Sequence, residues 1–310
     1  MPNKKKRKNV EGLNNKQCEI ERDNQVRKSF SYLQIMLFIN VIRKIYKTND
    51  GRLKMIISNQ TIIITGGTSG IGLAFAKKFL ELGNRVIVIG RNQNTIDQVT
   101  LENKGLIGLQ GDVSSADSVR EMATFIQNHY PEASILFNSA GIMRAFNVLD
   151  EQMSLEQVTA EVTTNLNGTI WMTKALLPQL VKQQEAMIVT ISSGLSYISS
   201  PIHPVYSGTK VAVHRYTDAL RIQLNRTGKN IHVLEIVPPL VNETNLESNG
   251  DGESVSTRIP NMTLDKLVNE GIKGIKKNKK RVVPGFSKFL RLAGKIFPDF
   301  LANVMGKSGE

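Results

Sequence analysis

The chain holds one cysteine, Cys18, one tryptophan and four histidines in 310 residues. A lone cysteine closes no intrachain disulfide. With no Cys or His pairs at ligand spacing, zinc fingers, zinc ribbons and redox dithiols are excluded, and no metal is expected. Such thiol usage fits a reducing, cytoplasmic setting. Long apolar runs are missing too. The apolar stretch Ser29–Ile42 has 14 residues. As a helix it reaches roughly 21 Å, short of the ~30 Å hydrocarbon core of a bilayer. Nearly 30 residues precede it and no small-residue cleavage site follows, so it is not a signal peptide.

Acidic residues are the scarcer charge, with 40 Lys+Arg against 27 Asp+Glu and a net charge of +13. The excess lies at the ends. Residues 1–54 carry 14 basic and 5 acidic groups, residues 266–310 carry 11 and 3, and residues 55–265 carry 15 and 19. A body with a charge of −4 offers no basic groove, so no nucleic-acid partner is expected. The run Lys4-Lys5-Lys6-Arg7-Lys8 reads as a solvated tail or a polyanion patch. Near the other end, Pro284–Gly306 sets Phe286, Phe289, Leu290, Leu292, Ile296 and Phe300 among Lys288, Arg291 and Lys295, which predicts a basic amphipathic helix over about 286–306.

From Met55 onward, short β-branched runs alternate with stretches of helical length, the pattern of an α/β fold whose parallel sheet is covered on both faces. Strands are expected at Thr61–Thr65, Arg85–Ile89, Leu106–Gln110, Ser134–Asn138, Ala186–Ser192, Ile231–Val237 and Arg281–Val283. One domain thus spans 55–310, behind a basic extension at 1–54. Residues 243–263 lack apolar periodicity and read as an active-site lid or as a disordered insertion; both stay open.

The first strand enters Gly66-Gly67-Thr68-Ser69-Gly70-Ile71-Gly72, followed by a helix expected over Leu73–Leu82. Glycines permit a tight turn and close approach to a pyrophosphate, and the N–H groups opening the helix favour its charge. The second strand ends in Gly90-Arg91-Asn92, where an NAD-binding protein usually presents a carboxylate. Arg91 is suited to a 2′-phosphate instead, so NADP(H) is expected in preference to NAD(H).

Further on come Ser192-Ser193 at a strand end and Tyr206-Ser207-Gly208-Thr209-Lys210 at a helix start. A four-residue spacing puts Tyr206 and Lys210 on one helix face, where the ammonium is expected to lower the phenol pKa. With Asn165 and the glycine turn, these residues resemble the short-chain dehydrogenase/reductase family over about residues 55–295. Asp112-Val113 is similar to the family's adenine-contacting pair, and Asn138-Ser139-Ala140-Gly141 to its Asn-Asn-Ala-Gly turn, with Ser139 in place of the second Asn. Pro238-Pro239 stands where the family shows Pro-Gly, which together with Ser193-Gly194-Leu195 and Pro204-Val205-Tyr206 resembles the DltE-like bacterial group.

The resemblance implies a doubly wound Rossmann fold, a seven-stranded parallel sheet in the order 3-2-1-4-5-6-7. It implies an oxidoreductase moving a hydride between NADP(H) and a carbonyl or alcohol substrate, in a homodimer or homotetramer. Tyr206 would be the general acid/base, Lys210 its partner and a ribose ligand, Ser193 the partner of the substrate oxygen, and Asn165 the holder of a relay water near Lys210. Cofactor contacts would come from Gly66, Thr68, Ser69, Gly70, Ile71, Gly72, Arg91, Asp112, Val113, Asn138, Ala140, Gly141, Tyr206, Lys210 and Pro238. The C-terminal helix would cover the substrate cleft or a subunit interface. His203, between two prolines, is expected at the surface, Arg144 beside the substrate or in solvent, and Trp171, Met172 and Leu176 in the core. Rival readings are an idle cofactor-binding regulator and a protein peripheral to a membrane. Residues 1–54 are expected to lie outside the functional unit, disordered or as a leader translated from a start codon assigned too far upstream; the rival reading is a genuine interfacial anchor.

Overall fold

The computed structural model describes residue 55 and residues 57–145, 147–241, 244 and 261–306. By its contacts the chain divides into units 1–52 and 53–310, and only the second is described. The expected extension, and the 243–263 loop apart from residues 244 and 261–263, lie outside the described residues.

Seven strands form one parallel sheet: β1 (Thr61–Thr65), β2 (Arg85–Gly90), β3 (Leu106–Gln110), β4 (Ala133–Asn138), β5 (Ala186–Ile191), β6 (Ile231–Ile236) and β7 (Arg281–Val282). Their order, β3-β2-β1-β4-β5-β6-β7, is the expected one. Helices α1 (Gly70–Glu81), α2 (Gln93–Glu102), α3 (Ala116–His129), α4 (Leu155–Glu161), α5 (Gly168–Leu180), α6 (Pro204–Arg226) and α7 (Leu264–Lys276) connect them, and α8 (Ser287–Ile296) and α9 (Pro298–Gly306) follow β7.

β1, β4 and β5 are buried along their whole length, which is why they read as continuous apolar runs. Alternation divides them between two cores. Ile62 and Ile64 join Phe75, Phe79 and Phe137 on one face, whereas Ile63 joins Leu136, Met172 and Leu176 on the other. Met172 and Leu176 are therefore core residues as expected, with Trp171 half-buried beside them. The order of the sheet reverses between β1 and β4, and in such folds the crevice beyond the strand ends at that point is the ligand site.

Two expectations need correction. Helix α1 starts at Gly70 rather than Leu73, because its first turn is built from the glycine motif itself, with Gly70 at φ +48°. The single C-terminal helix is two helices, broken at Phe297. Pro298 lacks an N–H and restricts the residue before it, so it begins a new helix instead of continuing the old one. Among the described residues, no helix is long and apolar enough to cross a membrane.

Candidate active site

The turn after β1 is compact because side chains are absent where backbone must pass. A Cβ on Gly72 would lie 2.1 Å from the Gly66 carbonyl oxygen, and one on Gly66, at φ +63°, would lie 2.8 Å from the Ala140 Cα. Thr65 ties the same two loops together, its Oγ1 accepting from the N–H groups of Ser139 and Ala140 at 3.2 Å each. Ser69 is the N-cap of α1 but makes no side-chain cap hydrogen bond, so the opening N–H groups of the helix are left to a ligand. Gly66, Ser69, Gly70, Ile71 and Gly72 all border one open cleft. A glycine cradle beneath an uncapped helix start fits a dinucleotide pyrophosphate.

The residues at the ends of β2 and β3 do not border this cleft. A Cβ on Gly90 would meet the Thr68 side chain at 2.7 Å, so the end of β2 lies against the glycine turn and brings Arg91 beside Thr68. The Arg91 side chain is exposed, and its carbonyl accepts from Gln110 Nε2 at 3.1 Å. Asp112 is partly committed, with Oδ1 accepting from the Ser114 N–H and hydroxyl at 2.8 and 2.6 Å. Val113 is buried against Gly168 of α5. Asn138 does not border the cleft. Its Nδ2 donates to Thr173 Oγ1 at 3.2 Å beneath the sheet, and its buried Oδ1 has no partner.

At the other end of the cleft α6 opens with Pro204, whose fixed φ suits the first helical position. Tyr206 and Lys210 then point inward, 4% and 5% exposed, with Lys210 Nζ 5.4 Å from the Tyr206 ring centroid. Lys210 Nζ donates to the Ile191 carbonyl at 3.2 Å. Burial lowers its pKa to about 8, against an opposing pull from Glu161. The phenol goes the other way from the sequence expectation. Burial raises the Tyr206 pKa above its ordinary value, a hydrogen bond with Ser193 offsets part of that, and the charge of Glu161 adds to the rise. Burial outweighs the Ser193 hydrogen bond here.

Asn165 lies in a π-helical turn, Val162–Asn167, between α4 and α5. Its Oδ1 accepts from Ile142 N at 2.8 Å, and its Nδ2 donates to Ile142 O at 2.9 Å and Thr209 Oγ1 at 3.2 Å. The amide is thus spent on holding the Gly141–Ile142 turn to α6. A Cβ on Gly141 would sit 3.3 Å from Asn165 Oδ1 and 3.5 Å from Lys210 Nζ, so the turn lies close against both side chains. Ser193, Gly141 and Pro238 border the cleft with Tyr206 and Lys210, while Thr68, Arg91, Asp112, Val113, Ala140 and Asn165 do not.

His203 is not a surface residue: it is 7% exposed, borders the cleft and has its pKa lowered by burial. As the residue before Pro204, it is carried inward by the start of α6. Arg144 adjoins Glu161, its backbone N–H donating to Glu161 Oε1 at 2.9 Å. Glu161 is 1% exposed, and burial raises its pKa against the charges of Arg144 and Lys210. Sequence reasoning also missed a cluster behind Ser193. Glu235, 0% exposed on β6, accepts from Ser192 Oγ at 2.6 Å and lies 2.8 Å from His214 Nδ1. Arg281 bridges Glu235 and Asp218, and Arg221 also pairs with Asp218. The available signal was an acid, Glu235, inside the strand-like run Ile231–Ile236.

The family pattern described as short chain dehydrogenase matches residues 60–253. The chain is 30% identical over 228 residues to Uncharacterized oxidoreductase DltE of Bacillus subtilis, covering 74% of this chain and 89% of that one. It is 30% identical to Dehydrogenase/reductase SDR family member 7B of Danio rerio, over 70% and 71% of the two chains. Among solved structures, a short chain dehydrogenase of Burkholderia cenocepacia in complex with NADP superposes with a TM-score of 0.68 at 20% identity, covering 81% of this chain and 99% of that one. One of Burkholderia phymatum in complex with NAD gives 0.67 at 21%, over 78% and 95%.

Proposed function

Because the chain belongs to the short-chain dehydrogenase/reductase family, in its DltE-like group, and is thereby an oxidoreductase, we propose that it reduces a carbonyl compound with NADPH, or oxidises the corresponding alcohol, using Tyr206 as the acid/base. The observation that carries this reading is the gathering of Ser193, Tyr206 and Lys210 in the same cleft as the glycine turn. An idle cofactor-binding regulator needs no such buried proton relay.

The cofactor would be held by the Gly66–Gly72 turn and the start of α1 at its pyrophosphate, and by Lys210 at the nicotinamide ribose. A bound nicotinamide supplies or accepts the hydride. Ser193 hydrogen-bonds the substrate oxygen and fixes it beside the phenol. In reduction Tyr206 Oη gives its proton to that oxygen as the carbonyl carbon gains hydride, and in oxidation it takes the proton back. Burial keeps the phenol protonated at neutral pH, which supports proton donation. Lys210, with its pKa near 8, is poised to return a proton to the phenol side of the site. Asn165 positions the Gly141–Ile142 turn against Lys210. The oxidoreductase unit is assigned to residues 55–310; Met55 is 4% exposed and belongs to the core.

An exposed Arg91 at the end of β2, with no carboxylate there, supports NADPH over NADH. Fluorescence titration should show NADPH binding at least tenfold tighter, with Arg91→Asp reversing the order. Equal binding would remove the 2′-phosphate assignment. A screen of carbonyl compounds followed by NADPH absorbance should find turnover that Tyr206→Phe lowers by about 10²–10⁴, with NADPH affinity unchanged. Near-normal turnover in that variant would assign the proton to another group.

A further inference from the structure

Helix α8 has three faces with different surroundings. On one, Ser287 and Leu290 are buried, and Gly294 approaches so closely that a Cβ there would be 2.3 Å from the Tyr197 carbonyl oxygen. Leu290 and the preceding Phe286 wall the cleft. At about 100° per residue, Phe289, Leu292 and Ile296 fall on the opposite face, 52%, 65% and 58% exposed. The apolar surface continues through Phe297, Phe300 and Val304, which are 61%, 67% and 49% exposed. Between the buried face and this stripe, along one edge, stand Arg291, Lys295 and Lys288, all exposed. Helix α8 contains no carboxylate, and α9 contains one, Asp299.

We propose that the outer face of α8 and α9 docks on an anionic lipid surface. The apolar stripe would enter the headgroup boundary while the row of cations beside it pairs with lipid phosphates, the arrangement of an interfacial amphipathic helix. Covering the cleft and meeting a membrane are therefore not alternatives for this segment, since opposite sides of one helix do the two tasks. A second copy is the less fitting occupant. Antiparallel isologous pairing would bring Lys288, Arg291 and Lys295 of each chain toward their own kind, with Asp299 the one acid on α8 and α9 to offset them. The remaining excess of positive charge also suits an anionic surface: residues 1–54 carry 14 basic against 5 acidic groups.

The test is co-sedimentation of the full chain with vesicles of phosphatidylcholine containing phosphatidylglycerol, compared with vesicles of phosphatidylcholine alone. Binding should be at least tenfold stronger to the anionic vesicles and should fall as salt rises. Leu292→Glu combined with Ile296→Glu should weaken it at least tenfold, and Lys288→Glu combined with Arg291→Glu should abolish the preference for phosphatidylglycerol. Neither pair should change the thermal midpoint or NADPH binding, which are read separately so that a folding defect is not mistaken for lost docking. Absence of vesicle binding overturns the proposal. So does binding that survives both variant pairs, which would assign it to residues 1–54. A dimer seen by light scattering and dissolved by Leu292→Glu and Ile296→Glu, without vesicle binding, would make the face a subunit interface and overturn it equally. No outcome depends on turnover, so the oxidoreductase reading stands or falls apart from it.

Discussion

Strands β1–β3 and strands β5–β7 flank the same crevice, but they are fastened in different ways. In the first group the inner faces are Ile62, Ile63, Ile64, Val86, Ile87 and Val88, and the turn that leaves them relies on missing Cβ atoms and helix N–H groups. In the second, an equally apolar set of strands encloses the Ser192–Glu235–His214 cluster with its Arg281 and Asp218 extensions. Apolar packing there is non-directional, whereas a buried carboxylate with several partners fixes angles. Ser192 is bound to Glu235 and adjoins Ser193, so the directional fastening is found beside the hydroxyl proposed to meet the substrate. At the glycine turn, where the proposed function puts a flexible diphosphate against backbone, shape suffices.

The largest expected effect breaks the charged side. Glu235→Ala would strand Arg281, His214 and Ser192, and urea unfolding should show a loss of ~3–5 kcal/mol. Acid should sharpen the same contrast. Burial would raise the pKa values of Glu235 and Asp218, but hydrogen bonds and charge from His214 and Arg281 for the first, and from Arg221 and Arg281 for the second, hold both below their ordinary values. Such groups contribute stability that is fully present above the unfolded carboxylate range near 4 and is lost as pH falls through the folded values. Thermal midpoints between pH 6 and pH 3 should therefore fall more steeply for wild type than for Glu235→Gln; parallel curves would show that the cluster is not the acid-sensitive element.

On the backbone side, Gly72→Ala forces a methyl against the Gly66 carbonyl. It should cost ~1–3 kcal/mol as an overpacked contact and weaken NADPH binding at least tenfold by calorimetry. The smallest effect is expected at Asn92, whose side chain accepts from Thr95 N at 3.1 Å to cap α2. Asn92→Ala should lose ~1 kcal/mol with NADPH binding unaltered, since a cap on an exposed helix serves neither kind of fastening.

The two regions also differed in how far the sequence revealed them. The run from Thr61 to Gly72 is contiguous, and its chemistry is local: β-branched residues extend, glycines turn, and the helix begins. The charged cluster draws on positions 192, 214, 218, 235 and 281, which come together only when β5, α6, β6 and β7 are assembled. Periodicity predicts which face a residue occupies, not which distant residue shares it. Ser193, Tyr206 and Lys210 were legible because their spacings are themselves a motif, yet the direction of the phenol shift was not, because it depends on burial. His203 was misjudged on composition, its neighbouring prolines suggesting a surface loop where one of them starts a helix. The break at Pro298 was visible in the sequence and was overridden by an uninterrupted apolar pattern on either side of it.

The π-helical turn at Val162–Asn167 gives this chain a fixed residue count. A π turn carries one residue more than the α-helix it interrupts, so the helix before it and the helix after it are out of phase by about 100°. Upstream, that phase turns Glu161 toward Arg144; downstream, it turns Met172 and Leu176 into the core. Deleting any one residue of the six would let the helix run on regularly, and one of the two sets would then face the wrong way. A substitution here is tested by the fit and hydrogen bonds of one side chain, as at Asn165, whereas a change of length by one is an error in phase that reaches every residue of the adjoining helix.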